Sequence, residues 1–189
     1  ETSQTALAAL STGVTPIVRV CHGALSDATR LLDNGAMGII VPHVSTAEEA
    51  REIAVALRYP PIGHRGWAGL QANFGYVQPS TLEAQKILND EIMVVAMLET
   101  PEGIANADAI AATEGIDVLL IGTSDLTVEM GISGQLDHPR LQAAFESVGA
   151  ACARHKKTMG VAGVENDETL LRCIKAGARF ALVASDHSM

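Results

Sequence analysis

Six short apolar runs recur along this chain, each separated from the next by enough residues for a helix. TPIVRV (15–20), AMGIIVPHV (36–44), IMVVAMLET (92–100), IDVLLIG (116–122), TMGVAGV (158–164) and RFALVASD (179–186) are rich in Val, Ile and Leu. They are continuous rather than alternating. A strand that is apolar on both sides has to be covered on both faces, which is the situation of a parallel sheet whose crossovers are helices. The intervening segments have the matching signals. Residues 24–35 carry Leu25, Ala28, Leu31 and Leu32 on one helical face, with Gly35 at the stop. Ser45 or Thr46 can cap a helix over 45–59, with Glu48 and Glu49 at its positive end. Thr100, Pro101 and Glu102 open a helix to about 113. Pro139 opens one to about 156, and Asn166 caps another that ends at Gly177. A further helix spans about 81–89. One long irregular stretch, PPIGHRGWAGLQANFGYVQPS (60–80), is rich in Gly and Pro and holds Trp67 and Phe74, which marks it as a functional loop.

Composition narrows the partners. Residues of hydrophobic type make up 48% of the 189, enough for one well-packed domain over 1–189. Thirteen Lys and Arg stand against 22 Asp and Glu, a formal charge of -9, so a broad nucleic-acid face or an anionic membrane surface is excluded as a partner. No stretch approaches the ~18 apolar residues of a membrane span. The first thirteen residues lack the basic and apolar regions of a signal peptide. Cys21, Cys152 and Cys173 form no CxxC pair and read as reduced thiols of a cytoplasmic protein. Neither GxGxxG nor GxxxxGK[ST] occurs, so a dinucleotide or P-loop site has no local support.

The strand pattern admits both an open doubly wound sheet and a (β/α) barrel. Polar residues at strand ends favour the barrel, because Arg19, Glu99 and Asp125 all lie at or just beyond C-terminal ends, where barrel active sites are assembled. Glu99 and Asp125 would then point to one rim. Two converging carboxylates repel, and a divalent cation with a preference for oxygen ligands would relieve that. The alternative is that Glu99 caps the helix at Pro101 and Asp125 caps a short turn. Arg19 is either an edge residue or a bidentate carboxylate grip. Asp33, poorly placed for its helix dipole, either faces solvent or supports Arg19. His22, His43 and His64 can also reach a rim, whereas His138 and His155 read as helix-terminal surface residues.

Longer motifs carry a family resemblance. PIVRV (16–20), LLDNGAMGIIVPHVSTAEEA (31–50), RYPPIGHRG (58–66), LETPEGIANADAIAATEGIDVLLIGTSDL (98–126) and DHP (137–139) resemble the HpcH/HpaI aldolase family of metal-dependent class II pyruvate aldolases. The resemblance implies a (β/α)8 TIM barrel, of which this chain would cover strands 3 to 8, without the first two strands and the closing helix. It implies Glu99 and Asp125 as ligands of Mg2+, Mn2+ or Co2+, Arg19 as the residue that holds and polarises pyruvate, Asp33 in support, and the backbone of Thr123 and Ser124 as the seat of the pyruvate carboxylate. It further implies that GHRG shapes the active-site rim, that the 60–80 loop lies beneath the aldehyde, and that the protein is a cytoplasmic homo-oligomer, a trimer or hexamer.

Two departures stand out. Met97 occupies a position where many members of that family carry glutamine. The aspartate–histidine pair that the family uses for acid–base work belongs upstream of the 16–20 strand, so no histidine here takes that role. The implied reaction is reversible cleavage of a 4-hydroxy-2-oxo acid to pyruvate and an aldehyde. A citrate-type or malyl-thioester lyase of the same superfamily, or a catalytically impaired relative that binds a pyruvate-like anion, are the rival readings.

Overall fold

The computed structural model describes residues 1–77 and 79–184. Helix α1 (Thr2–Ser11) comes first, a helix that the sequence pattern did not announce because its apolar residues are not gathered on one face. Six strands follow: β1 (Ile17–Arg19), β2 (Gly38–Val41), β3 (Met93–Leu98), β4 (Val118–Gly122), β5 (Thr158–Ala162) and β6 (Ala178–Leu182). Between them run α2 (Leu25–Asp33), α3 (Ala47–Leu57), α4 (Thr81–Glu91), α5 (Pro101–Ala105), α6 (Ala107–Ala111), α7 (Thr123–Glu129), α8 (Pro139–His155) and α9 (Asp167–Lys175). Thr46 caps α3 in a reciprocal box with Glu49, and Asn166 caps α9 through the Thr169 amide. The expected helix over 101–113 is broken at Asn106, whose side-chain amide donates to the Ser45 carbonyl at 2.8 Å. Of the expected strand 179–186 only Arg179–Leu182 is strand, and Ser185, Asp186 and His187 lie outside the described residues.

All six strands are parallel and stand in sequence order, each hydrogen-bonded only to its neighbours in the chain. This corrects the expectation of a closed (β/α)8 barrel. The described residues form an open, six-stranded half-barrel in which β1 and β6 each have one partner and do not meet. Twist between neighbouring strands curls such a sheet, but closure requires the first and last strands to pair, and here they do not.

The curl creates two apolar layers. Ile39, Val41, Val94, Ala96, Leu98, Leu119 and Ile121 point outwards into the helical layer, where Leu32, Leu57, Ile110 and Phe145 meet them. Ile40, Val95, Met97, Val118 and Leu120 point inwards and form a second, smaller cluster with Ile17, Met93 and Phe180. At the N-terminal ends of the strands, the foot of the sheet, Arg58 is 2% exposed and fully engaged. Its Nε donates to the Gly115 carbonyl at 3.0 Å, and Nη1 donates to the carbonyls of Asn89 and Ile92 at 2.7 and 2.8 Å. Its Nη2 meets Asp117 Oδ2 at 2.5 Å, and that same oxygen accepts the Val94 amide at 2.7 Å. One arginine thus ties the end of α3 to the entries of β3 and β4.

Candidate active site

Period-two alternation decides which side chains reach the concave face. Ile17 faces inwards and Val18 packs on the outer layer, so Arg19 projects inwards again. By the same count Met97 is inward, Leu98 outward and Glu99 inward. Arg19 is exposed, and its guanidinium has no hydrogen-bond or ion-pair partner among the described residues. That leaves its donors free for an anion.

Glu99 is 1% exposed. Its Oε2 accepts the His43 backbone amide at 2.9 Å and lies 3.3 Å from His43 Nδ1. Burial pushes the Glu99 carboxyl above the usual carboxylate range. The His43 contacts oppose that, and the neighbouring Asp125 carboxyl adds to it through hydrogen bonding and charge. Gly122 makes the arrangement possible. A Cβ at that position would stand 2.7 Å from Glu99 Cγ, 2.7 Å from Met97 Cε and 2.9 Å from Glu99 Oε1. The missing side chain is the space in which the glutamate lies. Neither carboxylate caps a helix. Thr100 caps α5 through the Gly103 amide at 3.0 Å, and α7 begins at Gly122 without a side-chain cap.

Asp125 sits in the first turn of α7 and is exposed, as is Ser124. Thr123 is buried, and its hydroxyl donates to the carbonyls of Ala162 and Gly163 at 2.9 and 3.0 Å. Gly163, with φ of +77°, lets β5 approach this turn: a Cβ there would lie 2.7 Å from Thr123 Oγ1 and 2.9 Å from Ser124 Oγ. With its hydroxyl engaged, Thr123 offers a ligand only backbone, while the Ser124 hydroxyl remains free to act. The structure therefore gathers Glu99 and Asp125, with Thr123 and Ser124 on the same turn as Asp125.

Asp33 departs from expectation. It ends α2 at the foot of the sheet, where its Oδ1 accepts from Arg65 Nη2 at 2.6 Å, so it supports Arg65 rather than Arg19. The GHRG segment is drawn to the foot with it. Arg65 lies over the Tyr59 ring at 4.8 Å, Trp67 leans on Tyr59 at 5.7 Å, and Asn73 donates to the Ala36 carbonyl at 3.0 Å. The described residues of the 60–80 loop, with Trp67 and Phe74 packed against the outer core, brace the foot and do not overlie the Glu99–Asp125 rim. His64 goes with it. The histidine that does reach the site is His43, with the His22 ring edge-on at 5.8 Å. A cavity of about 190 Å³ opens beside the pair. The sequence signal was a Pro–His step directly after a strand that ends at the same rim.

The donor set suits a divalent cation of the Mg2+ type. Two carboxylates are adjacent, the buried one is held towards its neutral form first by burial and further by its neighbour's charge, and Gly122 leaves the space that the Glu99 side chain fills. Among the described residues no group of three or more His, Cys, Asp or Glu side chains is gathered around one point, so water and substrate oxygens would complete the coordination.

Comparison with known proteins agrees with this geometry. The family model for HpcH/HpaI aldolase/citrate lyase matches residues 1–189. The 4-hydroxy-4-methyl-2-oxoglutarate aldolase tasA of Hapsidospora irregularis is 42% identical over 193 aligned residues, covering 100% of this chain and 72% of that protein. The 5-keto-4-deoxy-D-glucarate aldolase of Shigella boydii serotype 18 is 37% identical, covering 90% of this chain and 65% of that protein. The crystal structure of an HpcH/HpaI aldolase from Desulfitobacterium hafniense DCB-2 superposes with a TM-score of 0.90 at 30% identity, covering 98% of this chain and 71% of that one. The chain thus spans roughly two thirds to three quarters of the length of these relatives. With a family model matched from end to end and an inward carboxylate pair at the C-terminal rim, this chain belongs to the HpcH/HpaI aldolase/citrate lyase family.

Proposed function

We propose that this protein is a divalent-metal-dependent aldolase that cleaves a 4-hydroxy-2-oxo acid reversibly to pyruvate and a carbonyl product. The observation that carries the reading is the Glu99–Asp125 pair, one carboxyl buried and raised by desolvation, the other exposed beside it on the next strand–helix turn. Those two residues would hold Mg2+, Mn2+ or Co2+. Such a cation supplies a Lewis acid that polarises the 2-oxo group of the substrate.

The rest falls to the chain. Arg19, inward and unpaired, binds the 2-oxo acid carboxylate and sets its carbonyl towards the carboxylate pair. Its charge also favours the negative enolate oxygen that develops as C3–C4 breaks. The backbone of Thr123 and Ser124, held against Gly163, forms the floor under the carboxylate, and the Ser124 hydroxyl is available to donate to it. The 4-hydroxyl gives its proton to solvent as its carbon becomes the product carbonyl, the C3–C4 electron pair passes into the enolate, and C3 takes up a proton from solvent to give pyruvate. Met97, beneath Glu99, gives the site an apolar floor on which the charged contacts are strengthened.

The reading carries small-molecule partners, a cytoplasmic setting and a homo-oligomeric assembly of three or six chains, which light scattering would test. No helix among the described residues is long and apolar enough to cross a membrane. The decisive assay measures pyruvate release from short 4-hydroxy-2-oxo acids, including 4-hydroxy-4-methyl-2-oxoglutarate, with Mg2+, Mn2+ or Co2+ and again after chelation. Metal-dependent turnover that Arg19→Ala abolishes supports the proposal. No turnover with any of the series under any of these cations overturns it.

A further inference from the structure

The two oxygens of Glu99 are not equivalent. Oε2 accepts the His43 backbone N–H at 2.9 Å and stands 3.3 Å from the imidazole Nδ1 of the same residue, an ion-pair contact. Oε1 lies over the bare Cα of Gly122, on the side from which α7 brings Asp125. His43 reaches this position only by adopting φ of +57°, a left-handed backbone uncommon for a residue with a side chain. Pro42 precedes it, and the Val44 amide is pinned to the Met97 carbonyl at 3.0 Å, so the kink is clamped on both sides. The half-exposed imidazole then stands between Glu99 and His22, whose ring meets it edge-on. A strained residue that uses both of its nearby groups on a single carboxylate oxygen is holding that carboxylate in one orientation.

From this geometry we infer that His43 is a positioning residue of the reaction: it fixes the Glu99 carboxylate so that Oε1 alone is presented, together with Asp125, to a divalent cation. The inference rests on the proposed cation-dependent function and adds to it the residue that orients the buried ligand. Groups that contact a ligating carboxylate from behind and orient it typically change metal affinity by ~10–100-fold. The imidazole accounts for a part of this that the backbone amide does not supply.

His43→Gly isolates that part. Glycine keeps the backbone N–H and adopts φ of +57° without strain, so the variant is expected to melt at the same temperature as the parent or higher. Its affinity for Mn2+, read from the free-ion EPR signal in the absence of substrate, is expected to fall at least tenfold. The substrate KM at saturating Mn2+ should stay near the parent value while kcat falls. His43→Asn, which tolerates the left-handed backbone and retains a side-chain donor, should recover part of the Mn2+ affinity. Stability and affinity moving apart is an outcome that a purely structural histidine would not give. If His43→Gly binds Mn2+ as tightly as the parent, the positioning role is wrong even though the parent's own Mn2+ binding stands. If the parent binds no Mn2+ the inference falls, and the proposed function falls with it when Mg2+ and Co2+ also support no turnover.

Discussion

Gly122→Ala is the sharpest single test of how the carboxylate pair is accommodated. The backbone at Gly122 has φ of -87° and ψ of 93°, which alanine adopts freely, so the added methyl acts only through contact. It would meet Glu99 Cγ and Met97 Cε at 2.7 Å, roughly 1 Å inside a comfortable carbon–carbon separation. The Met97 methyl ends a flexible side chain and can swing away. Glu99 cannot, because retreat breaks its 2.9 Å bond from the His43 amide. Overpacking of this kind costs about 1–3 kcal/mol. At about 2–4 °C per kcal/mol for a chain of this size, the melting temperature should drop by roughly 2–12 °C. Mn2+ affinity should fall by ~10-fold or more in the same protein, since the displaced group is the proposed ligand. Differential scanning calorimetry and Mn2+ titration by EPR read the two effects, with Gly66→Ala as the control, a position where a Cβ meets nothing within 4 Å. An alanine variant that melts and binds Mn2+ like the parent would refute the claim that Gly122 makes room for Glu99.

Three further outcomes follow from the same structure. Arg58→Ala takes the arginine donors from three carbonyls and one of two donors from Asp117, empties a buried site, and should cost about 3–5 kcal/mol in urea denaturation, with no rim residue touched. For Glu99 the folded-state carboxyl is raised, so its contribution to stability is present at low pH and lost as pH rises through the raised value. Cation-free Glu99→Gln should therefore gain in melting temperature over the parent as pH rises above the ordinary carboxylate range, and saturating Mn2+ should reverse the order; an advantage that shrinks with rising pH would contradict the sign. Among the thiols, burial pushes those of Cys152 and Cys173 up to about 11, whereas Cys21 is exposed. A thiol reagent at about pH 8 should modify Cys21 quickly and the other two only on unfolding.

The strands and their parallel direction could be read from the sequence because each is a continuous apolar run and several crossovers carry their own caps. Thr46, Thr100 and Asn166 are local signals, complete within three residues, and all three cap as expected. The inward direction of Glu99 was legible for the same reason, since alternation within Met97–Leu98–Glu99 decides it. What escaped depends on contacts between distant residues. Asp33 finds Arg65 thirty-two residues later, and the Asn106 break answers a carbonyl sixty-one residues earlier. Closure into a full barrel was an inference from family likeness, and pairing between β1 and β6 is a property of the assembled sheet that no local pattern encodes. His43 was visible as a rim histidine, but its bond to Glu99 spans fifty-six residues and requires a backbone angle that no sequence preference announces.

The arginine staple of Arg58 and the carboxylates of Glu99 and Asp125 sit at opposite ends of the same two strands, about one strand length apart. That separation makes the molecule evolvable in a specific sense. Substitutions at the C-terminal turns after β2 and β4 can retune what is bound and cleaved, while the residues that set strand entry and register stay untouched. A mutational library confined to the exposed positions of those turns, sparing His43, Gly122 and Thr123, would explore new carbonyl partners while drawing little on the interactions that keep the chain folded. The same number of changes around Arg58 would be eliminated as unfolded protein before any of them met a substrate.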